Sequence, residues 1–301
     1  GRGVIALEQA LEQGWVAPGD VETPGLPSGR LPVYAVPPGV LVDGTVLAKA
    51  RRADRFARMC VLAASDALQD SGLAASVDKT RMGVIVATAL GAHTTTFGFL
   101  DGILDFGDAV VSPTAFSHSL HNAAASYIAM TLDVRGPTLT ITHFHFAFHQ
   151  AVLLAGSWLT DGSCDAVLVG AADELGSVMH YVCGRMLQPS VDGRIKPFAF
   201  SATAEVVPGE GSAFFLLTRE AAGAGYARVA DVVQNRLPPA WLGATVQVID
   251  AGGIATDESA YREVGKPGMR LAAYAPIFGS LMTGSAFNVA AAALMLKRQK
   301  I

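Results

Sequence analysis

Gly136 to Leu159, GPTLTITHFHFAFHQAVLLAGSWL, constrains this chain more than any other stretch. Thr138 to Thr142 alternates threonine with aliphatic residues, the period-2 pattern of a strand. From Phe146 on, Ala147, Gln150, Ala151, Leu154, Ala155 and Trp158 recur at helical spacing. His143-Phe144-His145 therefore has to make an abrupt strand-to-helix turn. A turn of this kind lifts one side chain at a helix N-terminus, where unpaired amides favour negative charge. Acyl-transfer enzymes often place a nucleophile there; here the apex carries histidine.

The flanking sequence extends the same pattern. Met82–Ala87 and Ala166–Gly170 are short apolar runs of the kind buried on both faces of a sheet. Helices are predicted over Val4–Gln13, Lys49–Leu68 (Phe56, Met59, Cys60 and Ala63 inward), Gly98–Phe106, Asn122–Leu132 and Ala286–Lys297. Further strands are expected over Ser212–Thr218, Arg228–Val233 and Val246–Asp250. Pro18 to Pro38, crowded with proline and glycine, reads as an irregular arm, and Ser112-Pro113-Thr114 and Val191–Phe200 as loops. Strands alternating with helices predict an α/β fold with a mostly parallel sheet.

Composition narrows the function classes. A formal net charge of −4 gives no basic field for nucleic acid. Cys60, Cys164 and Cys183 have neither disulfide-like nor metal-type spacing, so a reducing, cytoplasmic setting is expected. The uncharged runs Ala109–Leu132 and Gly136–Thr160 carry histidines, Pro113 and Asn122 and are read as globular rather than membrane-spanning. Gly1-Arg2-Gly3 leads straight into a helical pattern, with no charged-then-apolar leader.

The order of landmarks resembles the β-ketoacyl synthases of the thiolase superfamily. Its carriers are the strand–turn–helix at 136–159, a small-residue helix before it, DAVLVGAADE at 165–174, GRIKPF at 193–198 and PGEGSAFFLL at 208–217. Gly252-Gly253-Ile254-Ala255-Thr256 stands where the family has a histidine-glycine-threonine-glycine-threonine loop. Gly279-Ser280 stands where it has glycine-histidine before an Ala-rich helix. The resemblance implies a thiolase-like layered αβαβα fold with a reduced C-terminal half, divided near residue 220 into 1–220 and 221–301. The stretch between Thr218 and Asp250 is short for the family.

What the resemblance implies for chemistry is mostly loss. The family's apex cysteine, whose thiolate takes the acyl chain, corresponds to His145. The two histidines that stabilise the enolate after decarboxylation correspond to Gly252 and Ser280. A ketosynthase-like chain without its nucleophile resembles the chain-length factors of type II polyketide systems, and most of all those of aryl polyene pathways. These pair with an active β-ketoacyl-ACP synthase and shape the acyl tunnel. On that footing His143, Phe144, His145, Phe146 and Thr283 would line the substrate pocket, and Asn122, Thr138, Thr140 and Thr142 would face the partner subunit. No resident cofactor is implied, since phosphopantetheine arrives on the acyl carrier protein. An active ketosynthase or malonyl decarboxylase using other residues, and a homodimeric acyl- or carrier-binding module, are the competing readings.

Other features carry two readings each. His143, His145 and His149 could hold a metal, but the backbone changes type inside the cluster; the plainer expectation is that His145 fills the vacated pocket, hydrogen-bonded, and His149 packs along the helix. His118 and His121 are expected to cap or to face a partner. Asp173-Glu174 suits a structural turn better than acid catalysis. Arg51, Arg52, Arg55 and Arg58 form either a landing patch for an acidic carrier protein or a solvated helix face. Pro208-Gly209-Glu210-Gly211 opens a strand, which argues against a phosphate loop. Cys164 and Cys183 lie away from any apex and are not expected to act as nucleophiles.

Overall fold

The computed structural model describes residues 1–24, 26, 28–198, 205–220, 225–233, 246–253 and 270–299. The chain opens with α1 (Gly3–Gln13), and the proline-rich arm then folds back as a hairpin, β1 (Gly19–Glu22) against β2 (Arg30–Val33). Period-2 burial is too short in these four-residue strands to register in the sequence; Leu31 and Val33 are buried, with Val21 packed against them. α2 (Arg55–Asp70) starts later than its apolar pattern suggests, because Asp54 is the N-cap: its carboxylate accepts the Ala57 N–H at 2.8 Å. Residues 49–54, expected in the helix, form turns and irregular backbone instead, after a short 3₁₀ segment at Val46–Ala48.

β3 (Met82–Thr88) follows, then α3 (His93–Phe106), which begins five residues before the predicted Gly98. Ser112 is not in a loop but caps α4 (Pro113–Ser119), accepting the Ala115 N–H, with proline at the first helical position. α5 (Ala123–Leu132), β4 (Thr138–Thr142), α6 (Ala147–Thr160) and β5 (Ala166–Asp173) complete the central unit. α7 (Ser177–Met186), which the polar-apolar mixture of its sequence hides, precedes β6 (Gly211–Thr218). Beyond it lie β7 (Val246–Val248), β8 (Arg270–Ala272), the short α8 (Ala275–Phe278) and α9 (Gly284–Arg298). The strand expected over Arg228–Val233 is absent: 225–233 is irregular.

The main sheet has the order β4-β3-β5-β6. β4, β3 and β5 are parallel, and β6 closes the far edge antiparallel to β5. Every β3 residue is buried and so is β5 up to Asp173, as expected of central strands covered on both faces. Alternation sends Met82, Val84, Val86, Leu168 and Phe214 toward α2 and α5, and Ile85, Val167, Val169 and Phe215 toward α6. Gly170 allows β6 to come close: a Cβ there would lie 2.3 Å from the Phe214 ring. The second sheet, β7 with β8, is two-stranded and parallel. The fold is thus a mixed α/β, thiolase-like arrangement. Among the described residues no helix is long and apolar enough to cross a membrane.

Candidate functional site

The parallel pairing of β4 with β3 delivers the chain to the turn at 143–146, and α6 starts immediately after it. Four side chains in a row, His143 to Phe146, are exposed. The apex is not left with bare amides. His143 Nδ1 accepts the backbone N–H of His145 at 3.1 Å and of Phe146 at 3.2 Å, so an imidazole occupies the amides of the turn just ahead of α6. Since Nδ1 accepts, the proton of a neutral His143 sits on Nε2.

The expectation that His145 fills an enclosed pocket does not hold within this chain: its ring is exposed and meets Phe146 edge-on at 6.3 Å. His149 does pack along the helix, half-buried, with Phe146 and Phe148 as ring neighbours; burial pushes its imidazole below the ordinary value. Among the described residues no three histidine, cysteine, aspartate or glutamate side chains are grouped to hold a metal ion.

Gly252 and Ser280, the other two positions that the resemblance aligns with catalytic histidines, lie side by side. Ser280 is buried; its hydroxyl donates to the Gly252 carbonyl and accepts the Val207 N–H at 3.2 Å. Its hydrogen-bonding capacity is spent on backbone, and Gly252 contributes no side-chain donor. Ile254, Ala255 and Thr256 lie outside the described residues. The loop carrying Ser280 is stitched to the strand entrance: Ser280 N–H donates to Val207 O at 2.7 Å and Gly209 N–H to Ser280 O at 3.1 Å. Gly279, at φ +95°, and Gly209 touch so closely that a Cβ on Gly209 would meet Phe278 O at 2.4 Å. The Pro208-Gly209 segment is therefore a backbone crossing rather than a phosphate cradle.

Thr283 is buried and committed: its N–H and its hydroxyl both donate to Asp173 Oδ2, at 2.9 and 2.8 Å. The other Asp173 oxygen accepts the Thr88 hydroxyl at 3.2 Å and the Ala89 N–H at 3.0 Å. This carboxylate thus ties the ends of β3 and β5 to the start of α9, although burial pushes its pKa up. Glu174 is buried as well, accepts the Thr94 N–H at 2.9 Å, and is pushed up to about 7 by burial. Asp250 is raised to about 6 for the same reason. The Asp173-Glu174 pair sits at a strand end with structural bonds, as the turn reading expects.

Glu210 is a third buried anchor. It pairs with Arg55 and accepts the N–H of Val36 at 2.8 Å and of Leu175 at 3.0 Å. That pairing removes Arg55 from the supposed basic landing patch, and Arg58 donates to the Ala53 and Arg51 carbonyls; Arg51 and Arg52 remain exposed. His118 bonds the Tyr127 hydroxyl at 2.7 Å, and His121 packs on Gly91, so neither caps a helix. All three cysteines are buried thiols; burial pushes Cys183 up to about 11 and Cys60 higher still.

The expected partner-facing residues lie on one border. β4 is an edge strand, paired on one side only among the described strands, with Thr138 and Thr142 exposed and Thr140 half-buried; Asn122 is exposed just before α5. The His143 cap, the Asp173 clamp and the Arg55–Glu210 pair are what sequence reasoning missed. A polar ring two and three residues before the amides of a turn is a local signal for the first; the long-range pairs left none.

The chain belongs to the β-ketoacyl synthase family: the model of the family's N-terminal domain matches residues 41–222. It is 25% identical over 186 residues to an oxytetracycline polyketide putative β-ketoacyl synthase of Streptomyces rimosus, covering 58% of this chain and 44% of that protein. The chloroplastic 3-oxoacyl-[acyl-carrier-protein] synthase I of Arabidopsis thaliana is 23% identical over 127 residues, covering 41% of this chain and 27% of its own. The chain therefore spans less than half the length of these relatives. A β-ketoacyl synthase from Burkholderia phymatum superposes with a TM-score of 0.70 at 18% identity, over 97% of this chain and 81% of that one. A type II polyketide acyl-carrier protein in complex with its ketosynthase gives 0.65 at 17% identity, over 85% and 81%. The ishigamide ketosynthase/chain length factor gives 0.55 at 19%, over 72% and 57%. At such identities the structural likeness speaks for the fold.

Proposed function

We propose that this chain is a non-catalytic, ketosynthase-like subunit of the chain-length-factor kind, of the aryl polyene or type II polyketide sort. It pairs with an active β-ketoacyl-ACP synthase and shapes the tunnel that receives the growing acyl chain, while the partner does the condensation. The observation that carries this reading is the apex: a histidine stands in the nucleophile's place, and the amides of His145 and Phe146 are already bonded to His143. The three cysteines are buried, and none lies on the turn or in α6. Decarboxylation needs donors aimed at an enolate oxygen; Gly252 has none and the Ser280 hydroxyl is committed to backbone.

The edge strand β4 supports the pairing. An unpaired parallel edge with threonines at 138 and 142 and an exposed Leu139 is a surface for strand addition. The carrier protein, with its phosphopantetheine arm, would deliver substrate to the assembled pair, and no cofactor resides in this chain. The working compartment on this reading is the cytoplasm. The test is reconstitution: purified chain, a co-encoded ketosynthase, and acyl- and malonyl-carrier protein, with products read by mass spectrometry. We expect elongation only with the ketosynthase present, and altered product length when this chain is left out. Condensation by this chain alone would overturn the reading.

A further inference from the structure

α3 carries much of its apolar surface on the side away from the chain. On the inward side hydroxyls make the attachment: Thr95 donates to Asp54 Oδ2 at 2.9 Å and Thr96 to the Ser119 carbonyl at 3.2 Å. On the outward side Phe97, Leu100 and Leu104 recur at helical spacing and are 42, 44 and 82% exposed. His93 is the sole buried residue of this 14-residue helix. Phe106 and Val110 beyond its end, and Phe116 on α4, are exposed as well. Exposed apolar surface gathered on this scale marks an interaction site rather than ordinary scatter.

The arm made by α3 and α4 has a fixed shape. The Phe99 and Phe116 rings meet at 5.6 Å, and His118 on α4 bonds the Tyr127 hydroxyl on α5 at 2.7 Å. α5 also packs against β4, so the arm and the open strand edge flank one helix. A stable interface uses roughly 20–30 residues a side, and β4 has five. A protein that pairs with β4 must therefore cover neighbouring surface too.

Charge narrows the occupant. Asp101 and Asp105 run alongside the apolar stripe, Asp108 is exposed just past it, and no lysine or arginine occurs between Arg81 and Arg135. An acid-flanked apolar face is repelled by anionic lipid and matches a protein face whose apolar centre is ringed by lysine and arginine. We propose that the α3–α4 arm is a second docking surface for the active ketosynthase subunit, which meets it with such a basic-rimmed apolar face. The inference rests on the pairing proposed above and adds where, beyond β4, the partner is gripped and by what chemistry.

The test is sedimentation of the full chain with the co-encoded ketosynthase, comparing wild type, Leu104→Ser with Phe106→Ser, and Asp101→Lys with Asp105→Lys. All four positions are exposed, so thermal unfolding should not change. We expect L104S/F106S to bind at least about tenfold more weakly at any salt concentration. D101K/D105K should lose about tenfold at about 0.1 M salt and come close to wild type near 1 M, where screening is nearly complete. Charge reversal without effect at the lower salt would overturn the basic-rimmed partner face. Self-association of this chain alone that the same substitutions abolish would overturn it in favour of a second copy. Loss of binding in L139K/T142K, with both α3 variants binding as wild type, would overturn this inference and spare the pairing. A wild-type chain that never associates with the ketosynthase would overturn both.

Discussion

At the residue scale, His143 decides whether restoring a thiol restores chemistry. In His145→Cys the new sulfur would sit on a turn whose amides at 145 and 146 are still bonded to imidazole, with glycine at 252 and a committed serine at 280. We expect H145C to react with iodoacetamide and yet give no detectable condensation, measured with acyl- and malonyl-carrier protein. Asp173 makes a second residue-level expectation. It accepts four hydrogen bonds while half-buried, and Asp173→Asn replaces one accepting oxygen by a donor facing N–H and O–H groups. A loss of about 2–4 kcal/mol in chemical denaturation follows. Glu174 sets a pH dependence. Its folded-state pKa of about 7 lies above the unfolded value of 4.5, so the native state holds the extra proton. Its contribution is full below about pH 4.5 and is lost as pH rises through about 7, by on the order of 3 kcal/mol. Glu174→Gln should flatten that slope in denaturation curves taken from pH 5 to 8.

At the scale of elements, β4 leaves Thr138, Leu139 and Thr142 exposed and Thr140 and Ile141 half-buried, and the two groups should separate under mutation. Leu139→Lys together with Thr142→Lys places charge at two exposed positions of the edge strand and leaves its backbone pairing with β3 in place. We expect unchanged thermal unfolding and at least about tenfold weaker association with the ketosynthase partner in sedimentation experiments. This scale is also where the sequence was most readable. The strand–turn–helix of 138–160, the buried runs of β3 and β5, and β6 all announce themselves through unbroken periodicity. The hairpin β1–β2 and α7 do not, because four-residue strands and a helix with few buried positions leave little periodic signal. A helix start slipped where a cap outranked hydrophobic spacing, at Asp54, and the short α4 capped by Ser112 went unread because its first residues look like a loop. At the site, residue identities were legible and their bonds were not. Histidine at the apex is plain in the sequence, but that the neighbouring His143 spends itself on the turn's amides is a matter of geometry.

At the scale of the whole molecule, the fold keeps the scaffold of a condensing enzyme and commits its polar groups to holding it together. Asp173 joins β3, β5 and α9; Glu210 joins the arm, α2 and the approach to α7; Ser280 joins two loops. Groups so fully bonded have little freedom to exchange partners with a reacting thioester. The central claim is that no residue of this chain carries the acyl group. Intact-mass spectrometry of the chain after incubation with acyl-carrier protein, alone and with the ketosynthase partner, tests it most directly. The account predicts an unmodified mass for this chain in both mixtures and an acylated partner in the second. An acyl adduct on this chain, at His145 or at any cysteine, would contradict it.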